Sequence, residues 1–235
     1  MPRRAGDIEP VSNPLPIRYL VRGPLVCAAL LACGGNPKPE TPAPLPPTAP
    51  IPTAGIAGQR VPVLPLTRVG AEEALGFAWV DTARHATLQK ADSILGELLK
   101  ARASEVTWVL PPDLRREARR SPTVATDPDQ MGTGFLSTSN VTEVPDPLRS
   151  ELRTLVALAG GRFVLAPAAL VFKQTVSPPA SGSKEPHGEV TAELTVVMID
   201  SRLGQVGFHT VAHAEADDPW LAFIRAVKAM TPGLP

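Results

Sequence analysis

Glu189-Val190-Thr191-Ala192-Glu193-Leu194-Thr195-Val196-Val197-Met198-Ile199-Asp200 decides the fold. Val190, Ala192, Leu194, Val196 and Met198 fall on one side, and Thr191, Glu193 and Thr195 on the other. A period of two marks a strand with one face in a core. Ser201-Arg202-Leu203-Gly204 then turns the chain, the glycine supplying a positive φ at the end of the turn, and Gln205–His213 returns as the next strand.

Working upstream, 174–187 is a Ser/Pro/Gly-rich loop, and Arg162–Lys173 is a nearly all-apolar strand in which Pro167 marks a bulge or break. Before it, Asp146 is placed to cap a helix with Pro147 at its first position. Leu148, Leu152, Leu155, Val156 and Ala159 form the inner stripe of that helix, and Gly160-Gly161 closes it. Residues 121–146 show no apolar period and read as a long surface loop. Pro112–Arg120 is a short helix and Val106–Leu110 a β-branched strand. Asp81–Ala103 has helical spacing, Gly70–Val80 is a short strand or loop, and Val61–Leu66 is a proline-interrupted first strand. Downstream of the hairpin, Asp217-Asp218-Pro219 caps a last helix, Trp220–Met230, where early acids suit the helix dipole. The expected fold is therefore α/β: a single domain over 60–235, with a mixed sheet of about five strands and helices packed mainly on one face.

The chain before residue 60 has a different character. Leu25–Gly35 reads Leu-Val-Cys-Ala-Ala-Leu-Leu-Ala-Cys-Gly-Gly, with Arg18 and Arg22 before it. Basic residues, a short apolar run and small residues at its end make an export signal over 1–32. The run is too short to span a bilayer, which takes about 20 apolar residues. A start of translation near Val21 would make this signal compact. Residues 33–59 then form a linker, with eight prolines between Pro37 and Pro52. Each proline fixes φ and removes a donor, so a stiff extended spacer is expected, reaching roughly 80 Å from Cys33 to Arg60.

Charge and chemistry narrow the function. Lysine plus arginine equals aspartate plus glutamate at 23 each, and the part after residue 32 holds 19 basic and 21 acidic side chains. No nucleic-acid partner is expected of such a balance. Both cysteines, Cys27 and Cys33, lie in the signal region, so the domain has neither a disulfide nor a thiolate metal site. His209 and His213 share a strand face but stand about 13 Å apart, too far for one metal. His85 is placed to pair with Asp81 one turn earlier. No hydrolase, metalloprotease or P-loop motif is present. No enzymatic activity, cofactor or metal is therefore expected. The candidate contact surface is the Pro112–Arg120 helix, where Arg115/Arg119 and Arg116/Arg120 stand four apart and make a basic ridge.

Two resemblances add to this. Leu30-Leu31-Ala32-Cys33 resembles the lipobox of bacterial lipoproteins, which implies that Cys33 is acylated and becomes the first mature residue. An aspartate after the cysteine is that family's inner-membrane retention signal in enteric bacteria; here Gly34-Gly35 follows, which implies the outer membrane. Val-Pro-Val-Leu-Pro-Leu at 61–66 resembles the opening strand of envelope lipoproteins with a TolB-amino-terminal-like domain. Gly160–Leu165 is similar to their helix-to-strand junction, and Val197–Asp200 with Gly204–Val206 to their hairpin. That family includes activator lipoproteins of penicillin-binding proteins and subunits of the curli secretion channel. The chain departs from it in its first-strand prolines and in the 121–146 loop. The resemblance implies a periplasm-facing binding or adaptor module for an envelope protein, or alternatively an oligomeric subunit of a secretion assembly. The polar 121–146 loop disfavours a lipid-facing hairpin.

Overall fold

A computed structural model describes residues 47–176 and 188–231. The expected signal over 1–32, Cys33, most of the expected linker and His187 lie outside the described residues. The elements are β1 (Arg60–Pro62), β2 (Val69–Ala71), α1 (Trp79–Thr82), α2 (Arg84–Arg102), β3 (Thr107–Val109), α3 (Pro111–Arg120), α4 (Leu148–Ala159), β4 (Phe163–Val176), β5 (Gly188–Asp200), β6 (Gln205–Ala216) and α5 (Pro219–Met230). The mixed α/β class is as the sequence indicates.

The long antiparallel meander β4-β5-β6 is the frame. β2 runs parallel to β4 at Leu170–Phe172, and β1 runs parallel to β3. A bridge between Val63 and Leu165 joins the two sheets, so β1 and β2 line successive lengths of one edge of β4. The register slips between Pro167 and Ala169, because a proline cannot supply a ladder N–H. The slip reverses which side chains face which way: Val164 and Ala166 point into one core, whereas beyond it Leu170 and Phe172 point into the other. Gly204 takes φ +72° at the end of the β5–β6 turn, as expected.

Helices cover both faces, which corrects the one-face arrangement. α2 and α5 pack on Val61, Leu165, Leu194 and Val196. α3 and α4 pack on Val109, Val164, Val197 and Ile199 on the opposite side. The reason lies in β4 and the second half of β5, which are apolar on both faces and need two covers. Towards the far end of the meander the second face turns polar, with Lys173 paired to Glu193 at 2.8 Å.

Three further boundaries move. The helix expected over 81–103 is two helices, broken at Ala83 (φ −115°). The 121–146 segment is not a surface loop: Met131, Leu136 and Val144 are buried in the second core through two short 3-10 turns, Pro128–Gln130 and Gly134–Ser137. Isolated apolar residues with no period serve there as plugs. The domain also begins before residue 60. Thr53–Ile56 is a 3-10 turn, Ile51 and Ile56 are buried, and Ile51 N–H donates to the Met230 carbonyl at 2.8 Å. The prolines thin out after residue 52, and the apolar residues among them pack. Asp146 keeps a capping role although α4 starts at Leu148: its carboxylate accepts from the Ser150 N–H at 3.2 Å. Asp218 caps α5, accepting from the Leu221 N–H at 2.8 Å.

Candidate functional site

α3 starts on Pro111-Pro112, whose missing N–H groups cost nothing in a first helical turn. Leu114 belongs to the second core, and Ala118 is buried one turn later. That orientation sends Arg115 sideways into the crevice between α3 and α2. Its Nε and one terminal nitrogen donate to the two oxygens of Asp129 at 2.8 and 2.7 Å, a bidentate pair. The same terminal nitrogen reaches Asp92 Oδ2 at 3.1 Å. Asp92 Oδ1 accepts from the Leu66 N–H at 2.8 Å. One guanidinium thus ties together α3, α2, the β1–β2 connection and the turn at Pro128–Gln130.

The two carboxylates sit in different surroundings. The Asp92 side chain is 6% exposed and that of Asp129 is 42% exposed. Burial pushes Asp92 up to about 6, against the opposing pull of the Leu66 N–H and Arg115. The Arg115 hydrogen bonds hold Asp129 below the usual carboxylate range, against its partial burial. The bidentate bond to Asp129 raises Arg115 still further. Burial therefore outweighs pairing at Asp92, and pairing outweighs burial at Asp129. Two concavities open beside the cluster. One, of about 380 Å³, runs between α2 and α3 past Asp92, Glu97 and Lys100. The other, of about 290 Å³, lies by Arg119, Asp127 and Asp129. Both mix charges of either sign, which suits polar contacts.

The expected basic ridge is divided by this geometry. Arg115 points inward. Arg116 pairs with Asp113 and Arg120 with Glu117, each at 3.0 Å within α3. Arg119 is exposed and has no ion-pair partner among the described residues. His85 bonds Gln89 at 2.9 Å, one turn later, rather than Asp81. Among the described residues no group of three His, Cys, Asp or Glu side chains is placed to hold a metal. Asp92 was missed by sequence reasoning. The signal was its place on the inward side of α2, between Ala91 and Leu95, where a carboxylate has to find a donor.

No known protein family matches the chain, and no curated protein matches it. Among solved structures, it is similar to the C-terminal domain of LpoB from Escherichia coli at 13% identity and TM-score 0.31, over 68% of this chain and 85% of that one. It is similar to the hypothetical protein CT253 from Chlamydia trachomatis at 13% identity and TM-score 0.41, over 74% and 94%. It is also similar to PelC of Paraburkholderia phytofirmans, solved as a dodecamer, at 12% identity and TM-score 0.33, over 81% and 96%. The likeness extends to the arrangement of strands and helices and no further.

Proposed function

We propose that the chain is a lipid-anchored, periplasm-facing binding module of the outer membrane. Cys33 carries the lipid, the proline-rich span holds the domain off the bilayer, and the outer side of α3 engages an envelope protein without catalysis. The observation that carries this is how the chain joins the domain. The Ala49 N–H donates to Thr210 Oγ1 at 3.1 Å and the His213 N–H to Thr48 Oγ1 at 3.3 Å, so the first described residues are stitched to the outer edge of β6. The domain is held at one defined point, as a tethered module requires. On α3, Arg116, Arg119 and Arg120 remain exposed, and the surface pairs that two of them make are weak enough to exchange for a partner's acids.

The test is crosslinking of the intact protein in cells. Reversing Arg116, Arg119 and Arg120 to Glu should abolish the crosslinked partner band while leaving the melting temperature near that of the wild type. An unchanged band rejects α3 as the contact surface. Labelled palmitate should appear on the wild type and not on Cys33→Ala; label on the variant rejects the anchor.

A further inference from the structure

Arg153 and Arg202 stand together at the β5–β6 turn, away from α3. A concavity of about 550 Å³ lies between the end of α4 and that turn, and Arg153, Arg202, Ser201, Gly160 and Gly161 line it. Arg153 Nη2 donates to the Arg202 carbonyl at 2.7 Å, and its Nε to the Ser201 carbonyl at 3.4 Å. Bonds to carbonyl oxygens fix a guanidinium in place without cancelling its charge. Arg202 is exposed and makes no ion pair among the described residues. Arg60 lies against Gly160-Gly161 and donates through Nε to the Ala159 carbonyl at 3.1 Å, so it caps the negative end of α4 that would otherwise repel an anion. Arg162 follows Gly161 and is paired with Asp200. Asp200 is buried, and its other oxygen accepts from the Arg202 and Leu203 N–H groups, so it shapes the turn and does not line the concavity. Two guanidiniums, those of Arg153 and Arg202, thus line a hollow whose lining holds no carboxylate, with Arg60 beside it at Gly160-Gly161.

We infer that this concavity binds a phosphate-class oxyanion through Arg153 and Arg202. Two planar donor forks on one hollow match a ligand with more than one charged oxygen. Gly161 lets the end of α4 close on β1, which holds this rim in place: it takes φ +109°, and a Cβ there would stand 2.2 Å from the Arg60 carbonyl oxygen. The inference rests on this geometry alone and is independent of where the protein resides. A free phosphate and a phospholipid headgroup present the same oxyanion, and the experiment separates them.

The full chain carrying Cys33→Ser, so that acylation cannot drive binding, is titrated with inorganic phosphate and with pyrophosphate while amide resonances are followed. It is also sedimented with vesicles of phosphatidylglycerol and phosphatidylcholine, against vesicles of phosphatidylcholine alone. Shifts at Gly160, Gly161, Ser201 and Arg202, at least tenfold weaker in Arg202→Gln and in Arg153→Gln, support the site. Arg202 is exposed, so its variant keeps the test valid if loss of Arg153 loosens the turn. Preference for the anionic vesicles, lost in the same variants, identifies a headgroup as the source; phosphate binding without that preference identifies a soluble ligand. Absence of both effects overturns the inference. So does binding that survives both variants, or that falls equally in the α3 control Arg116→Gln/Arg120→Gln.

Discussion

Replacing Asp92 by Asn tests whether burial or the Arg115 pair governs the α2–α3 crevice. In the folded chain Asp92 titrates near 6, against 3.8 for an unperturbed aspartate. Two units of difference amount to about 3 kcal/mol between the charged and neutral forms. A carboxylate whose folded value is raised adds stability that is present below pH 4 and lost as the pH climbs through 6. The wild type should therefore lose about 2–3 kcal/mol from this group between pH 4 and 7.5. Asn carries no such charge, and its amide oxygen still accepts from the Leu66 N–H. The stability of Asp92→Asn minus that of the wild type should therefore rise by about 2–3 kcal/mol across this window. Asp129, whose value is lowered, loses its contribution as the pH falls, but it does so in both proteins and cancels in the difference. Urea unfolding at half-unit pH steps, followed by far-ultraviolet circular dichroism, measures the quantity directly. A control, Asp92→Ala, leaves the Leu66 N–H buried without a partner and should cost about 1–3 kcal/mol relative to Asn at every pH. If the Asn difference is flat with pH, or falls, the ion pair dominates and the reasoning from burial fails.

Gly161→Ala meets both a left-handed φ and the Arg60 carbonyl, and should cost about 2 kcal/mol or more in urea unfolding; a loss under 0.5 kcal/mol would mean the junction relaxes freely. Replacing residues 37–47 by Gly/Ser should leave the melting temperature unchanged. It should also weaken partner crosslinking, because the 15 steps from Cys33 to Thr48 then span about 20 Å on average rather than an extended limit near 45 Å. Extending the replacement through residue 52 should lower the melting temperature as well, since it removes buried Ile51; equal melting of the two replacements would contradict that packing. Asp218→Ala should cost about 1 kcal/mol through loss of the α5 cap, read from thermal unfolding.

What the sequence determined by itself is what local periodicity can carry. The alternation of 189–200, the glycine at 204, the slip at Pro167 and the stripe of α4 are written in neighbouring residues, because strand and helix repeat over two and about four positions. The α5 stripe read at Leu221, Ile224, Val227 and Lys228, by contrast, is corrected to Ala222, Phe223, Ala226, Val227 and Met230. The mixed α/β class follows from their order. The expected export signal, the lipobox-like ending and the proline run are local patterns of the same kind. Tertiary structure alone decided which charges are free. Arg115 and Arg119 are equivalent in sequence, four apart on one helix, yet one is locked between Asp92 and Asp129 and the other is exposed. Arg60, Arg153 and Arg202 are far apart in the chain and come together only because α4 ends where the β5–β6 turn folds back. Met131, Leu136 and Val144 likewise show no period, since each fills a gap whose shape is set by elements distant in sequence. Ion pairing and packing depend on distance in space, and a pattern read along one segment does not contain that distance.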